Sequence, residues 1–300
     1  GKETVTATQA ILAMKRSGKT YLAMVMGEEF LHLRLPFVVI DPTGVWYGLR
    51  SMVNGTASPH SILMLGGPRG EFELAPDAGR RVANLIIDVW PMPVILDLST
   101  MLPEDQHAFV CDLMSEAYIS NKKPTHYWID EADEYAPQSP DSTYKYQRKC
   151  LNSIDRFIRR GGAKGLGSTL ITQRPAVINK NVLSQVGRIF IGRMIAPQDL
   201  NQIEEWMRSV VQSSSDRAAC LAAIPTFQRG EMATVHNGGR GSAPLVKFMT
   251  RPRETFDSSR TPTMDDLTPP EPELSYPPRD VVVLAGERLG LLKVSSAPDE

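Results

Sequence analysis

Short apolar runs that end in polar residues recur along the first two thirds of the chain. Such runs are typical of strands buried on both faces of a parallel sheet. Patterns with the 3.6-residue spacing of an amphipathic helix occur between them, as in residues 21–31. Strands that alternate with helices predict an α/β fold in which a mostly parallel sheet is flanked by helices. The predicted strands are residues 9–12, 37–41, 94–98, 125–129, 167–173 and 187–193.

The pattern changes after residue 250. Prolines recur from residue 251 to residue 280, which excludes regular helix and favours an extended arm. Such an arm could cross a neighbouring subunit or serve as a simple linker, and both readings stay open. Residues 281–286 are apolar again and predict a short terminal element that docks. We therefore divide the chain into a core, residues 1–250, and an arm with a terminal element, residues 251–300. Within the core, residues 61–74 predict a hairpin beside the sheet.

Composition restricts the function classes. The chain has 300 residues, 42% of them hydrophobic, which supports a sizeable core. Its net charge of −1 gives no overall attraction to nucleic acid or an anionic membrane, so any DNA contact must come from a local stripe created by assembly. The three cysteines and five histidines show neither a disulfide framework nor zinc-ligand spacing. The absence of a membrane-spanning stretch and of a signal peptide favours a cytoplasmic location.

Residues 13–20 match the phosphate-binding pattern A-x-x-x-x-G-K-T, between a predicted strand and a predicted helix. A polyphosphate needs backbone N–H groups, a cation and a hydroxyl that ligates Mg²⁺. Gly18 lets the backbone curl against phosphate, Lys19 supplies the cation and Thr20 the metal ligand. Ala13 replaces the first glycine of the strict pattern, so the turn there must avoid positive φ. We predict ATP and Mg²⁺ as ligands, with Lys15, Arg16, Ser17, Gly18, Lys19 and Thr20 as the nucleotide-binding residues.

A second motif is the apolar run of residues 125–129, which closes on Asp130 and Glu131. Asp130 at a strand end is placed to hold Mg²⁺, directly or through water, and Glu131 to polarise the attacking water. An acidic strand end alone is a weak signal, but paired with the phosphate loop it becomes strong. Gln173 ends another predicted strand at the same sheet edge, where it could sense the γ-phosphate. A glutamine that merely caps a loop is the plain alternative.

The spacing of these motifs indicates a class of nucleotide hydrolase. Two predicted strands separate the phosphate loop from Asp130 in sequence. An additional strand between the loop strand and the Asp130 strand, with a glutamate beside the aspartate, resembles ATPases that hydrolyse with a catalytic glutamate. Kinases and small GTPases are the less similar classes.

Taken together, the motifs resemble the HerA/FtsK superfamily of hexameric ATPases, in particular bacterial HerA-like proteins. The resemblance implies a RecA-like core in a homohexameric ring, with ATP between subunits and DNA in the central channel. It also implies a nuclease or another effector as partner, in DNA end processing or in defence against phage. The motifs that carry it lie at residues 11–20, 39–44, 128–137, 171–175, 182–186, 197–200 and 255–262.

The chain departs from the family at three places. Relatives usually carry a small β-barrel before the core, whereas here Gly1 almost adjoins the first predicted strand, so we expect no barrel in this sequence and assign no partner-docking surface. Many family members have an acidic residue at the position of Val45. The function of that acidic residue is therefore not assigned to this chain. Gly162 stands where an arginine would point into the neighbouring active site.

Another cation could replace that arginine, because a trans-acting group needs only to reach the γ-phosphate as charge develops. We favour Arg160 as the catalytic cation, with Arg193 second. Residues 146–164 also have a plain interpretation as an amphipathic helix with a solvated basic face. The full set of candidates is Arg156, Arg159, Arg160, Lys164 and Arg193.

These observations lead to a functional hypothesis with two alternatives. The hypothesis is a Mg²⁺-dependent ATPase that works as a homohexameric DNA translocase or as the motor of a nuclease or antiphage effector. One alternative is an ATP-dependent assembly scaffold for a partner enzyme, whose turnover is secondary. The other is a DNA-packaging motor.

Overall fold

The computed structural model of the chain describes residues 1–236, 245–260 and 271–292. Within these ranges, nine strands form a single sheet. The strands are β1 (Thr8–Leu12), β2 (Phe37–Asp41), β3 (Leu63–Leu65), β4 (Val94–Asp97), β5 (Thr125–Ile129), β6 (Leu166–Thr172), β7 (Arg188–Ile191), β8 (Glu231–His236) and β9 (Val246–Met249). Their order across the sheet is β3-β4-β2-β5-β6-β1-β7-β8-β9. Strands β1 to β7 are parallel, whereas β8 is antiparallel to β7 and β9 to β8.

Helices cover both faces of this sheet. The helices are α1 (Lys19–His32), α2 (Gly79–Asp88), α3 (Pro103–Ser120), α4 (Ala132–Tyr135), α5 (Gln147–Arg160), α6 (Lys180–Leu183), α7 (Pro197–Val210), α8 (Ser214–Ala223) and α9 (Arg279–Leu289). One hydrophobic cluster packs α1 and the 3₁₀ helix Trp46–Arg50 against the sheet, and a second packs α2, α3, α5 and α7. No helix in the described ranges combines the length and the apolar character needed to cross a membrane.

The predicted α/β fold is confirmed, and the predicted strands appear within one or two residues of their expected bounds. Strands β2, β5 and β6 are buried at every position, which explains why apolar runs revealed them. The additional strand between the loop strand β1 and the Asp130 strand β5 is β6. The strands that intervene in sequence are the two predicted ones, β2 and β4, and the unpredicted β3, and all three lie beyond β5. Since the parallel strands end at one edge, that edge collects the residues that follow β1, β5 and β6.

The predicted hairpin at residues 61–74 is wrong. Its first half, β3, pairs in parallel with β4, and the returning chain forms a parallel bridge from Leu65 to Phe72. The reason lies in Glu71, whose carboxylate accepts the backbone N–H of Met64 at 2.7 Å and pairs with the buried guanidinium of Arg50, also at 2.7 Å. The backbone of the returning chain adds two hydrogen bonds, from the N–H of Glu71 to the carbonyl of Met64 at 2.8 Å and from the N–H of Gly66 to the carbonyl of Phe72 at 2.7 Å. Strands β8 and β9 were not predicted.

The C-terminal segment packs against its own core. Residues 251–260 and 271–278 form no helix, in keeping with their prolines, and α9 follows and packs on α2. The buried carboxylate of Glu28 in α1 anchors the first part: it accepts Arg251 Nη1 at 2.6 Å and the backbone N–H of Thr255 at 2.9 Å. Arg50 Nε donates to the carbonyl of Ser275 at 2.6 Å and holds the second part. Whether the arm also reaches a neighbouring subunit stays a prediction.

We expect Glu28→Ala to lower the free energy of unfolding by about 3 kcal/mol, because it leaves a guanidinium and buried N–H groups without their acceptor. Urea denaturation measures this change. The matched control is Glu29→Ala, since Glu29 binds the same Arg251 at 2.6 Å but is 53% exposed. That control should cost less than about 1 kcal/mol. Equal losses in the two variants would show that the buried anchor has no special role.

Candidate functional site

The phosphate loop joins β1 to α1 in the conformation that its sequence requires. Ala13 is buried and has no positive φ, as predicted, and the left-handed positions are Arg16 (φ 65°) and Gly18 (φ 100°). Ser17 Oγ donates to the carbonyl of Met14 at 2.6 Å and closes the loop. Gly18 precedes α1 directly, so the unpaired N–H groups of the first helical turn lie at the loop. This arrangement is typical of an anion-binding helix terminus.

Lys19 and the two acids that follow β5 lie in direct contact. Lys19 Nζ is 3.2 Å from Glu131 Oε1 and 3.7 Å from Asp130 Oδ1, and the lysine side chain is only 7% exposed. Glu131 has a left-handed backbone (φ 43°), an uncommon conformation for a glutamate. Burial raises the pKa of Glu131, and the ammonium group of Lys19 opposes that rise. A carboxylate with a raised pKa beside a cleft is a candidate general base.

Three adjacent strands end in buried aspartates at this edge: Asp97 of β4, Asp41 of β2 and Asp130 after β5. Burial raises the pKa of Asp41 to about 7, and the neighbouring carboxylates of Asp130 and Asp97 add to this rise, whereas the backbone N–H of Trp46 opposes it. The carboxylate of Asp41 also organises the turn that follows β2, because Oδ1 accepts the N–H groups of Thr43 and Gly44 at 3.0 and 2.9 Å. The edge is therefore strongly acidic opposite the basic phosphate loop.

A cleft of about 770 Å³ opens at this edge. It brings together nearly all the residues predicted for the site, except that Ser17, within the loop, is buried and does not line the cleft. Gln173, directly after β6, also lines the cleft. The predicted residues that line it are Lys15, Arg16, Gly18, Lys19, Thr20, Asp130, Glu131 and Gln173.

Arg160 is the predicted catalytic residue that the structure does not bring into this cleft. It ends α5, which leads through the 3₁₀ helix Gly161–Lys164 into the amino end of β6, the opposite edge of the sheet. Its exposed side chain has no hydrogen bond or ion pair within the described residues. From this place it cannot act on its own chain's cleft, so a catalytic role would have to be toward a neighbouring subunit, and a solvated basic helix face stays the plain alternative.

The other candidate cations are placed differently. Arg159 pairs with Asp155 at 3.1 Å, whereas Arg156 and Lys164 lie against the ring of Tyr118 at 4.3 and 5.0 Å. Arg193 follows β7, and its carbonyl accepts the N–H of Met14 at 3.0 Å, so it lies beside the phosphate loop. Among the predicted candidates on α5, Arg160 is therefore the one whose side chain makes none of these contacts, and Arg193 is the candidate beside the loop of its own chain.

Two arginines in the cleft were not predicted. Arg229 lies in the turn before β8, and the next residue, Gly230, donates its N–H to the carbonyl of Ser17 at 3.1 Å. Arg229 was not predicted because β8, the strand that follows it, was not predicted either. Arg260 enters the cleft from the docked C-terminal segment. Its motif at residues 255–262 was recognised, but no position in the site was assigned to it.

The donor set fits ATP and Mg²⁺. Magnesium sites commonly combine one or two protein oxygens with phosphate oxygens and water, and the hydroxyl of Thr20 and the carboxylate of Asp130 supply such oxygens. The ion, when bound, would neutralise charge on the phosphates. Lys15, Arg16, Lys19, Arg229 and Arg260 make the phosphate side of the cleft basic. The nucleotide-binding and metal-ligand roles themselves stay predictions.

The fold is that of the RecA-like P-loop NTPases. Comparison with solved structures agrees with this class. The genome packaging NTPase B204 from Sulfolobus turreted icosahedral virus 2 is 13% identical, with a TM-score of 0.54 over 82% of this chain and 98% of that chain. The bacterial conjugative coupling protein TrwBdeltaN70 is 10% identical, with a TM-score of 0.57 over 87% and 88%. VirB4 of Thermoanaerobacter pseudethanolicus is 12% identical, with a TM-score of 0.53 over 84% and 91%.

Two curated proteins match part of the sequence, and no family model matches it. The DNA double-strand break repair helicase HerA of Pyrococcus furiosus is 23% identical over 120 residues, 40% of this chain and 20% of that protein. The probable helicase MJECL08 of Methanocaldococcus jannaschii is 30% identical over 114 residues, 38% of this chain and 20% of that protein. The matched stretch thus spans about a fifth of each relative. These matches and the shared fold confirm the predicted resemblance to HerA/FtsK-type P-loop ATPases.

We expect Lys19→Ala to weaken ATP binding about 10- to 100-fold, because charge-assisted hydrogen bonds contribute roughly 1.5–3 kcal/mol. Arg229→Ala should weaken it by a smaller factor, about threefold to tenfold, since its side chain is exposed. Titration with a fluorescent ATP analogue measures both. Arg208→Ala is the control, because Arg208 pairs with Glu204 on α7 outside the cleft. If Arg229→Ala binds the ATP analogue as tightly as Arg208→Ala does, Arg229 does not belong to the nucleotide site.

Proposed function

We propose that the protein is a Mg²⁺-dependent ATPase that hydrolyses ATP to ADP and phosphate. One observation carries the proposal: the phosphate loop, the Asp130–Glu131 pair and Gln173 meet around one cleft, although they are far apart in sequence. A cleft that only bound nucleotide would not need the half-buried carboxylate of Glu131, with its raised pKa, beside the lysine.

Each residue has a proposed role in this reaction. The backbone N–H groups of the loop, with Lys19, bind the phosphates, and Thr20 and Asp130 hold the metal ion. Glu131 accepts a proton from the attacking water, because its carboxylate is close to Lys19 and therefore to the expected phosphate position. Gln173 orients that water or senses the γ-phosphate from the end of β6.

We further propose that the ATPase is a homohexameric motor that translocates DNA or drives a nuclease or antiphage effector. The partial match to a DNA double-strand break repair helicase supports the proposed action on DNA. The placement of Arg160 supports assembly, since an exposed cation at the opposite sheet edge can complete only a neighbour's site. The likeness to B204, which covers 98% of that packaging NTPase, favours a DNA-packaging motor as the second candidate.

We expect Glu131→Gln to retain ATP binding and assembly but to slow hydrolysis at least about 100-fold, since it removes the proton acceptor. Phosphate release and nucleotide binding are measured side by side. Glu134→Gln is the control, because Glu134 lies three residues later on α4, is exposed and is not part of the cleft lining. Unchanged turnover in Glu131→Gln would refute the general-base role. Full activation of a partner by the same variant would favour the assembly scaffold.

Mixed assemblies test Arg160. We expect Arg160→Ala alone to lower turnover while an isolated subunit still binds ATP. Mixing Arg160→Ala subunits with Lys19→Ala subunits should restore part of the activity, because some interfaces then combine an intact phosphate loop with an intact Arg160. Arg159→Ala, whose guanidinium is already paired with Asp155, is the control. Normal turnover in Arg160→Ala would move the role to Arg193, and low turnover without complementation would argue against action across subunits.

A further inference from the structure

The buried side of Asp130 is hydrogen-bonded to a tryptophan. Trp46 Nε1–H donates to Asp130 Oδ2 at 3.1 Å, and the two side chains are 0% and 2% exposed. The other oxygen, Oδ1, accepts the backbone N–H of Glu131 at 3.0 Å and lies 3.7 Å from Lys19 Nζ. The two oxygens thus have different environments: Oδ2 is held by the indole, and Oδ1 lies on the side of Lys19.

Trp46 is itself held firmly. It begins the 3₁₀ helix Trp46–Arg50, and its backbone N–H donates to Asp41 Oδ2 at 2.8 Å. Strand β2, which ends with Asp41, pairs in parallel with β5, which precedes Asp130, so the two carboxylates are fixed by the same strand pairing. The indole ring also packs 5.7 Å from the ring of Trp128 and fills the space beside Gly27 of α1. A side chain with so many contacts can hold its hydrogen-bond partner in one orientation.

We propose that Trp46 is the positioning residue for the metal ligand Asp130. The indole N–H fixes the carboxylate rotamer without adding a charge that would compete with the metal ion. Outer groups that orient a metal ligand commonly change metal affinity or activity 10- to 100-fold when they are removed. This inference rests on the proposed function, because it requires Asp130 to hold the metal ion.

The neighbouring Trp128 offers a matched control. It is equally buried and belongs to the same aromatic cluster, but its indole N–H has no hydrogen-bond partner within the described residues. Replacing either tryptophan by phenylalanine removes similar volume from similar surroundings. Only the Trp46 variant also removes the hydrogen bond to Asp130, so a difference between the variants reports on that bond.

The test compares Trp46→Phe and Trp128→Phe in the full chain. We expect Trp46→Phe to weaken Mn²⁺ binding to the complex with a non-hydrolysable ATP analogue about tenfold, measured by electron paramagnetic resonance. The Mg²⁺ concentration for half-maximal hydrolysis should rise by the same factor, while ATP affinity in EDTA changes less than twofold. Trp128→Phe should change each quantity less than twofold. Equal shifts in both variants, or no shift in Trp46→Phe, would overturn the proposal.

A second replacement at position 46 distinguishes the loss of the hydrogen bond from a loss of folding. Benzothienylalanine at position 46 keeps the shape of the ring and replaces only the N–H by sulfur. We expect this residue to weaken Mn²⁺ binding as Trp46→Phe does, without changing the unfolding temperature. Normal Mn²⁺ binding with this residue would refute the role of the hydrogen bond. If instead the proposed function is wrong, the unmodified chain will show no metal-dependent ATP hydrolysis, and this result separates the two hypotheses.

Discussion

The site depends on one buried ammonium group. Lys19 Nζ lies between the carboxylates of Glu131 and Asp130 with only 7% of its side chain exposed. A charge removed from water to this extent is costly unless it is paired, and the two carboxylates supply the pairing. Because Lys19 begins α1 and the acids follow β5, this contact ties the loop to a strand two positions away in the sheet. A phosphate group that bound the loop would compete with both carboxylates for the same lysine.

The helix that begins at Lys19 also anchors the C-terminal segment. Glu28, more than two turns further along α1, is buried and binds Arg251 and Thr255. The same segment then places Ser259 and Arg260 at the cleft. Residues 251–260 of the arm therefore connect α1 to the cleft of their own chain, so a displacement of α1 would affect both the phosphate loop and this part of the arm.

Local sequence patterns predicted the strands best where every position of a strand is buried. Strands such as β2, β5 and β6 are buried at every position and mostly apolar, because helices cover both faces, so their bounds and their polar ends could be predicted from the sequence. Strand β8 was missed because it follows a turn near the edge of the sheet and begins with a glutamate, and Arg229 was missed with it. The hairpin predicted at residues 61–74 is wrong because β3 pairs in parallel with β4, and the carboxylate of Glu71 accepts the N–H of Met64 that an antiparallel strand would otherwise bind.

The sequence by itself determined the chemistry of the site. The loop at residues 13–20, the acids after an apolar run and the glutamine after another are local features, since each depends on the few residues around it. Only the tertiary structure decided which strands are neighbours, because fully buried strands look alike in sequence and their order arises from long-range packing. That order placed β6 between β1 and β5, set Arg160 at the far edge, brought Arg229 to the loop and joined Trp46 to Asp130.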